Sequence, residues 1–334
     1  MNFTVYHTDS GIKGLVHQVT VILVSYNTVA HVRSALTALR HECYEVIVVD
    51  NASRDGTVAM IRREFPWVKL IENEVNRGFG PANNQGLAAM NGQLALFLNS
   101  DAVPEPGAIH LLAEVFQDKG VVAAGGRLSF PDGSLQNSCC NALTLWAVTC
   151  EQFLLEKAVP RSRVFSPYWV TSRLPQSQPT QVHQVMGACL MIRPIELFDE
   201  RFFLYAEDTE LCHRLGRHGK ILYQPLAKFT HALGASSVST RWESVARYNR
   251  GKELFFEIHY GKLSANFCWF LNRLGAMLRL GLWGISNLVT LGQSKRFATQ
   301  TRLWIKVLFA PKSGPPLPSD AQVLSHSSET PSVR

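Results

Sequence analysis

VTVILVS (Val19–Ser25) and EVIVVD (Glu45–Asp50) decide the fold. Each is a continuous apolar run that ends on a polar residue, the pattern of a strand buried on both faces. Between them Val29, Val32, Leu36 and Leu39 recur at helical spacing behind Thr28, which predicts a helix capped there. Beyond the second run, Asp55 predicts the cap of a helix carrying Val58, Ile61 and Phe65. VKLIEN, a helix around Asn83–Met90, LALFLNS (Leu94–Ser100), a helix introduced by Pro104 and Pro106, and VVAAGGRLSF continue the alternation. Strands alternating with helices predict an α/β fold with a mostly parallel, right-handed, doubly wound sheet.

Ligands of such sheets sit beyond the carboxyl ends of the strands. Three polar clusters stand at those ends: Ser25-Tyr26-Asn27, Asp50-Asn51 and Asn99-Ser100-Asp101. Their placement marks one edge of the sheet as the site.

PDGS (Pro131–Ser134) reads as a turn between strands, and residues 135–180 as a variable region over the site. Strands resume in HQVMGACLMI and KILYQP, flanking a helix in FDERFFLYAEDTELCHRLGRHG that ends at Gly219. The expected organisation is an extension over 1–17, a catalytic domain over 18–240, a helical region over 241–312 and a disordered tail over 313–334.

The chain has 334 residues and a net charge of +7, unevenly placed. From Arg241 onward 13 Lys/Arg face 5 Asp/Glu, so the surplus lies in the helical region and the rest is nearly neutral. That region is also rich in Leu, Trp and Phe, which favours an anionic membrane surface over nucleic acid as its partner. Leu274–Leu291 is the longest apolar stretch, but Arg279 interrupts it and Arg273 precedes it. An interfacial or re-entrant helix is expected there, with the arginine stems snorkelling. A helix packed on the catalytic domain is the alternative. Seven cysteines without paired spacing fit a reducing, cytosolic compartment, and no zinc pattern appears.

VSYN, DNASRDGT, NRGFGPANNQG, LNSD, MGACLMIR and FDERFFLYAEDTELCHRL, followed by a later His, occur in order. Over about Val19–Ser237 the sequence resembles the family 2 glycosyltransferases, with their GT-A (Rossmann-like) fold. It is most similar to the rhamnosyltransferase-like members that build bacterial surface polysaccharides. The resemblance implies an inverting transfer of a sugar, with rhamnose the best guess, from a nucleotide-diphospho-sugar to a saccharide or lipid-linked saccharide. The expected place is the cytoplasmic face of the bacterial inner membrane.

The resemblance also assigns roles. Tyr26 would stack on the donor's base and Asp50 would accept from a base N–H; taken alone, Tyr26 reads as core packing and Asp50 as a turn cap, and the full DNASRDGT context reverses that. Asn76, Arg77 and Asn83 would line the donor site, where Gly78, Gly80 and Gly86 surround a helix start that favours anions; the asparagines could instead cap that helix. Asp101 occupies the last position of the family's D-x-D, with Asn99 at the first, and would hold Mg²⁺ or Mn²⁺ against the donor diphosphate. His231 would complete that metal site; a lone histidine reads equally as structural. Asp208 would be the base that deprotonates the acceptor, with Glu207 in reserve or orienting the acceptor. Both also load the amino end of a helix, where they favour its dipole. Arg214 could face the cleft or pair with Glu210, and Met186-Gly187-Ala188 could admit substrate or simply pack.

Two other readings remain: a sugar-nucleotide pyrophosphorylase and a catalytically silent binding or scaffold protein on the same fold. Against the first, SYNTVAH lacks the Gly-, Arg- and Lys-containing loop of those enzymes. Against the second, Asp50, Asp101 and Asp208 are all present. A Rossmann dehydrogenase is disfavoured because no G-x-G-x-x-G follows Val19–Ser25.

Overall fold

The computed structural model describes residues 18–314 except 41, 43, 233–240 and 292. The expected extension over 1–17 and nearly all of the tail over 313–334 lie outside the described residues. The elements are β1 (Val19–Ser25), α1 (Val29–Leu39), β2 (Glu45–Asp50), α2 (Thr57–Glu64), β3 (Lys69–Glu72), α3 (Phe79–Ala89), β4 (Leu94–Leu98), β5 (Ala102–Pro104), α4 (Ala108–Glu114) and β6 (Val121–Ser129). Then follow β7 (Cys139–Cys140), α5 (Leu145–Gln152), α6 (Leu155–Ala158), β8 (Thr180–Val182), β9 (Gln184–Val185), β10 (Cys189–Ile192), α7 (Glu207–Leu215) and β11 (Lys220–His231). α8 (Arg241–Val289) and α9 (Lys295–Leu308) complete the chain.

Nine strands form one sheet in the order β3-β2-β1-β4-β10-β6-β11-β5, with β8 beside β11. β1, β2, β3, β4, β6 and β11 run one way, and β5, β8 and β10 run against them. The mostly parallel sheet is therefore observed, with an antiparallel strand in the middle. A buried four-residue run such as Cys189–Ile192 carries no signature of its direction.

Alternate residues of one strand enter opposite cores, which is why these strands are apolar throughout. Val19, Val21 and Leu23 pack with α1, α2 and α4 through Leu36, Ile61 and Leu112. Ile22 faces the other way, toward Leu87 of α3 and Leu211 and Leu215 of α7. α3 lies so close to β1 that a Cβ on Gly86 would meet Ile22 Cγ2 at 2.4 Å.

Thr28 precedes α1 but donates no side-chain cap; Asp55 Oδ2 accepts from Val29 N instead, at 2.8 Å. The same carboxylate accepts from Thr57 N at the start of α2, so one residue serves two helices.

Residues 135–180 contain α5 and α6 and dock on the carboxyl-terminal helices. α8 breaks at Gly261 (φ 81°, ψ 171°), a backbone region essentially closed to other residues, into arms 241–260 and 262–289. The arms run back on each other, with Asn272 Nδ2 donating to Glu253 Oε1 at 2.9 Å. Arg273 and Arg279 do not snorkel. Arg273 donates to the carbonyls of Val307 and Ala310 at the end of α9, and Arg279 to those of Glu151 and Gln152 at the end of α5. Both satisfy orphan carbonyls at the negative end of a helix dipole. Outward, the second arm shows Leu263, Phe267, Phe270, Leu282, Ile285 and Leu288, all exposed. Among the described residues no helix is long and apolar enough to cross a membrane.

Candidate active site

Strand register brings the polar clusters together. Ser25 is paired with Asp50 across β1 and β2, and Cys189 of antiparallel β10 is paired with Leu98 of β4. The Met186-Gly187-Ala188 turn that precedes β10 therefore lies beside Asn99. β11 pairs with β5 so that His231 faces Ala102, which sets His231 next to Asp101.

At the first two strand ends Asp50 is buried, with Oδ2 accepting from Ser25 Oγ and Oδ1 from Ser53 N, both at 2.8 Å. Asn27 has a left-handed backbone (φ 54°); its N donates to Ser53 Oγ and its Oδ1 accepts from Arg54 N, which joins the two loops. Tyr26 is half-buried between them. Asn51 reaches across to Gly78 O at 3.0 Å.

Asn76 is buried and its Oδ1 accepts from Gly78 N, and Asn83 donates to Phe79 O within α3. Asn83 Oδ1 is buried without a partner. Arg77 is half-buried and forms no ion pair or hydrogen bond among the described residues. The glycines admit protein here rather than ligand. A Cβ on Gly78 (φ 91°) would lie 2.4 Å from Phe203 O, and one on Gly80 would lie 3.1 Å from Phe198 Cβ. This fastens the start of α3 to the segment that leads into α7.

His231 is buried, and its Nε2 lies 3.2 Å from Asp101 Oδ1 and 3.3 Å from Asn99 Nδ2. On its other side Nδ1 is 2.7 Å from Gln136 Oε1. With Gln136 accepting from Nδ1–H, a protonated imidazole donates Nε2–H to the Asp101 carboxylate, whereas a neutral one turns its Nε2 lone pair on that carboxylate. Two acceptors at that separation need a proton or a cation between them. Burial raises the Asp101 carboxyl, but the hydrogen bond and charge of His231 outweigh it and hold the group below its usual range. One carboxylate and one imidazole suit Mg²⁺ or Mn²⁺ when a diphosphate supplies further oxygens. Among the described residues no cluster of three His, Cys, Asp or Glu could hold a metal by itself.

α7 opens with Glu207 and Asp208. Asp208 is half-buried; Oδ2 accepts from Gly187 N at 2.8 Å and Oδ1 from Thr209 N at 2.7 Å. Glu207 is buried, and its Oε2 has no hydrogen-bond partner. Burial, and then the charge of Asp208, push the Glu207 carboxyl up to about 8. Burial also raises Asp208, against the hydrogen bonds from Gly187 and Thr209. Arg214 pairs with Glu210 at 2.7 Å and with Glu196 and so belongs to the frame of α7.

Ala188 O accepts from Asn99 N at 3.1 Å, one residue after Gly187 N reaches Asp208. Two consecutive residues thus join the carboxylate pair of α7 to the Asn99–Asp101 turn. Residues 20–189, which carry these strand-end motifs, match glycosyl transferase family 2. The chain belongs to that family.

This family 2 chain is 27% identical over 274 residues to an N-acetylglucosaminyl-diphospho-decaprenol L-rhamnosyltransferase of Mycobacterium tuberculosis, covering 75% of this chain and 88% of that one. A succinoglycan biosynthesis protein of Rhizobium meliloti is 36% identical over 103 residues, 30% of each chain. Among solved structures, a mannosyltransferase of Pyrobaculum calidifontis in complex with GDP-Man and Mn²⁺ superposes with a TM-score of 0.51 at 16% identity, over 87% of this chain and 85% of that one. That likeness shows the GT-A fold.

Sequence reasoning missed three parts of the site. Gln136 lies in the region read only as variable, with no residue of it singled out. Gly187 was read by its size, whereas its N–H touches Asp208. Tyr205 (φ 74°) and Ala206 (φ 68°) are consecutive left-handed residues before Glu207, and no glycine announces them.

Proposed function

We propose that the protein is an inverting glycosyltransferase that moves a sugar from a nucleotide-diphospho-sugar to a lipid-linked saccharide, with Asp208 as base. The observation that carries this reading is the Gly187-Ala188 link, which sets the Asp208 carboxylate and the Asp101–His231 pair on one edge of the sheet. Asp208 is the more open carboxylate and keeps lone pairs beyond those used by Gly187 and Thr209. It takes the acceptor hydroxyl's proton as that oxygen bonds to the anomeric carbon. The bond from that carbon to the nucleoside diphosphate breaks, and the diphosphate leaves with the electron pair. Glu207, protonated at neutral pH, orients the acceptor. Tyr26 stacks on the base and Asp50 accepts from it, while Asn76 and Asn83 shape the loop that offers Arg77 to the diphosphate. Asp101 and His231 would hold Mg²⁺ or Mn²⁺, which supplies Lewis-acid stabilisation of the leaving diphosphate.

Rhamnose is the proposed sugar and a polyprenyl-diphosphate-linked saccharide the proposed acceptor, by analogy with the activity in the name of the mycobacterial relative. The exposed apolar arm 262–289, with the basic surplus of its region, rests on the cytoplasmic face of the inner membrane. The test is nucleotide release from thymidine- and uridine-diphospho-sugars with and without EDTA. Release from one donor that ceases in EDTA is expected; full turnover in EDTA contradicts the metal role, and release from no donor contradicts the reading.

A further inference from the structure

Away from the Asp208–Asp101 edge, a cavity of about 360 Å³ opens between α5, α6 and the carboxyl-terminal helices. Small-molecule clefts usually measure roughly 300–1,000 Å³. Its wall includes Glu151, Glu156, Ser244, Tyr248, Arg279 and Trp304. We propose that this cavity is a saccharide-binding subsite for the acceptor, with Glu156 and the Trp304 indole N–H as its hydrogen-bonding groups. The proposal rests on the glycosyltransferase reading above.

The wall is matched to hydroxyl groups. Arg279 is committed to the carbonyls of Glu151 and Gln152, and Glu151 Oε2 to Lys252 Nζ at 2.7 Å. Glu156 forms no hydrogen bond or ion pair among the described residues, and Trp304 Nε1 is a buried donor without a partner. A buried polar group left unmade is costly. A sugar hydroxyl both donates and accepts, so one polyol serves Glu156 and Trp304 together. The rings of Tyr248 and Trp304 offer apolar surface to a pyranose. Glu151 and Glu156 against Lys157, Arg241 and Arg279 leave the wall close to electroneutral, which suits a neutral sugar. Burial and the neighbouring Glu151 charge raise the Glu156 carboxyl, in keeping with a concave, water-poor place.

Packing ties the cavity to the proposed base. The Tyr248 ring meets Tyr205 edge-on, with centroids 6.4 Å apart, and Tyr205 begins the left-handed turn into Glu207-Asp208. Gly251 lies so close to that turn that a Cβ there would be 2.5 Å from Tyr205 O. The cavity wall and the base-bearing turn are thus one packed unit, joined through Tyr248 and Gly251.

The test is saturation-transfer NMR of the full chain with methyl β-N-acetylglucosaminide and methyl α-rhamnoside, run beside donor hydrolysis in water. Wild type gives a glycoside signal. Glu156→Gln and Trp304→Phe, the second chosen to keep the packing, weaken binding by on the order of tenfold. Ser244→Trp fills the cavity and abolishes the signal, and all three variants keep the wild-type rate of donor hydrolysis and its melting temperature. Absence of signal from both glycosides in wild type, or unchanged affinity in all three variants, overturns the subsite. Absence of donor hydrolysis and transfer in wild type instead overturns the glycosyltransferase reading, whatever the glycosides do.

Discussion

The loops after β1 and β2 tie their polar groups to one another, whereas the turn before α7 holds its groups in costly states. In the first region Asp50, Asn27, Asn51 and Asp55 each have defined partners across loops. Both regions hold two left-handed non-glycine residues, Asn27 and Ala52 in the first and Tyr205 and Ala206 in the second; the second differs in burying Glu207 Oε2 alone and in raising both of its carboxyls. A surface that binds a ready-made ligand gains from rigidity. A group that must exchange a proton gains from an environment that unsettles its charge, and such states gather at functional sites.

The largest effect expected from this contrast concerns pH. The folded-state value of Glu207, about 8, lies above its ordinary value of 4.5. Its contribution to stability is therefore full below about 4.5 and lost as pH rises through about 8. Within that window wild type should lose up to about 1.4 kcal/mol per pH unit from this group, and Glu207→Gln should flatten the slope. Urea unfolding of both proteins from pH 5 to 9 measures it; parallel slopes would mean that the turn is not electrostatically strained.

Next comes the rigid side. Gly78→Ala places a side chain at φ 91° against Phe203 O and should cost about 3 kcal/mol. A loss below about 1 kcal/mol would show that the frame yields. The smallest effect is expected at the helical arms, because Arg273 and Arg279 are turned inward and cannot add to surface charge. Flotation with anionic liposomes should be mainly apolar and only modestly weakened by salt; a protein left in the soluble fraction at low salt would assign the exposed arm to another partner.

The frame was legible in the sequence and the strained turn was not. Val19–Ser25 and Glu45–Asp50 form strands with the bounds their apolar runs suggest, because burial on both faces leaves a direct mark on composition. The resemblance put Asp101 and His231 in one metal site, and the β5–β11 pairing is what brings them together in the fold. That pairing is tertiary, and a three-residue strand leaves little trace. Tyr205 and Ala206 carry no residue preference for their conformation, so packing against Gly251 and Tyr248 has to impose it. Arg273 and Arg279 looked like membrane anchors because sequence gives a charge without its direction.

The central claim is that Asp208, held by Gly187, is the base beside a donor bound at Asp50 and Asp101. Single-turnover transfer by Asp208→Asn and Glu207→Gln, with donor affinity measured in parallel, tests it most directly. Asp208→Asn should keep donor affinity and lose transfer by on the order of 10² to 10⁴, while Glu207→Gln should lose less, since a neutral amide resembles the protonated acid. Near-normal transfer by Asp208→Asn beside a dead Glu207→Gln would exchange their roles, and near-normal transfer by both would contradict the account.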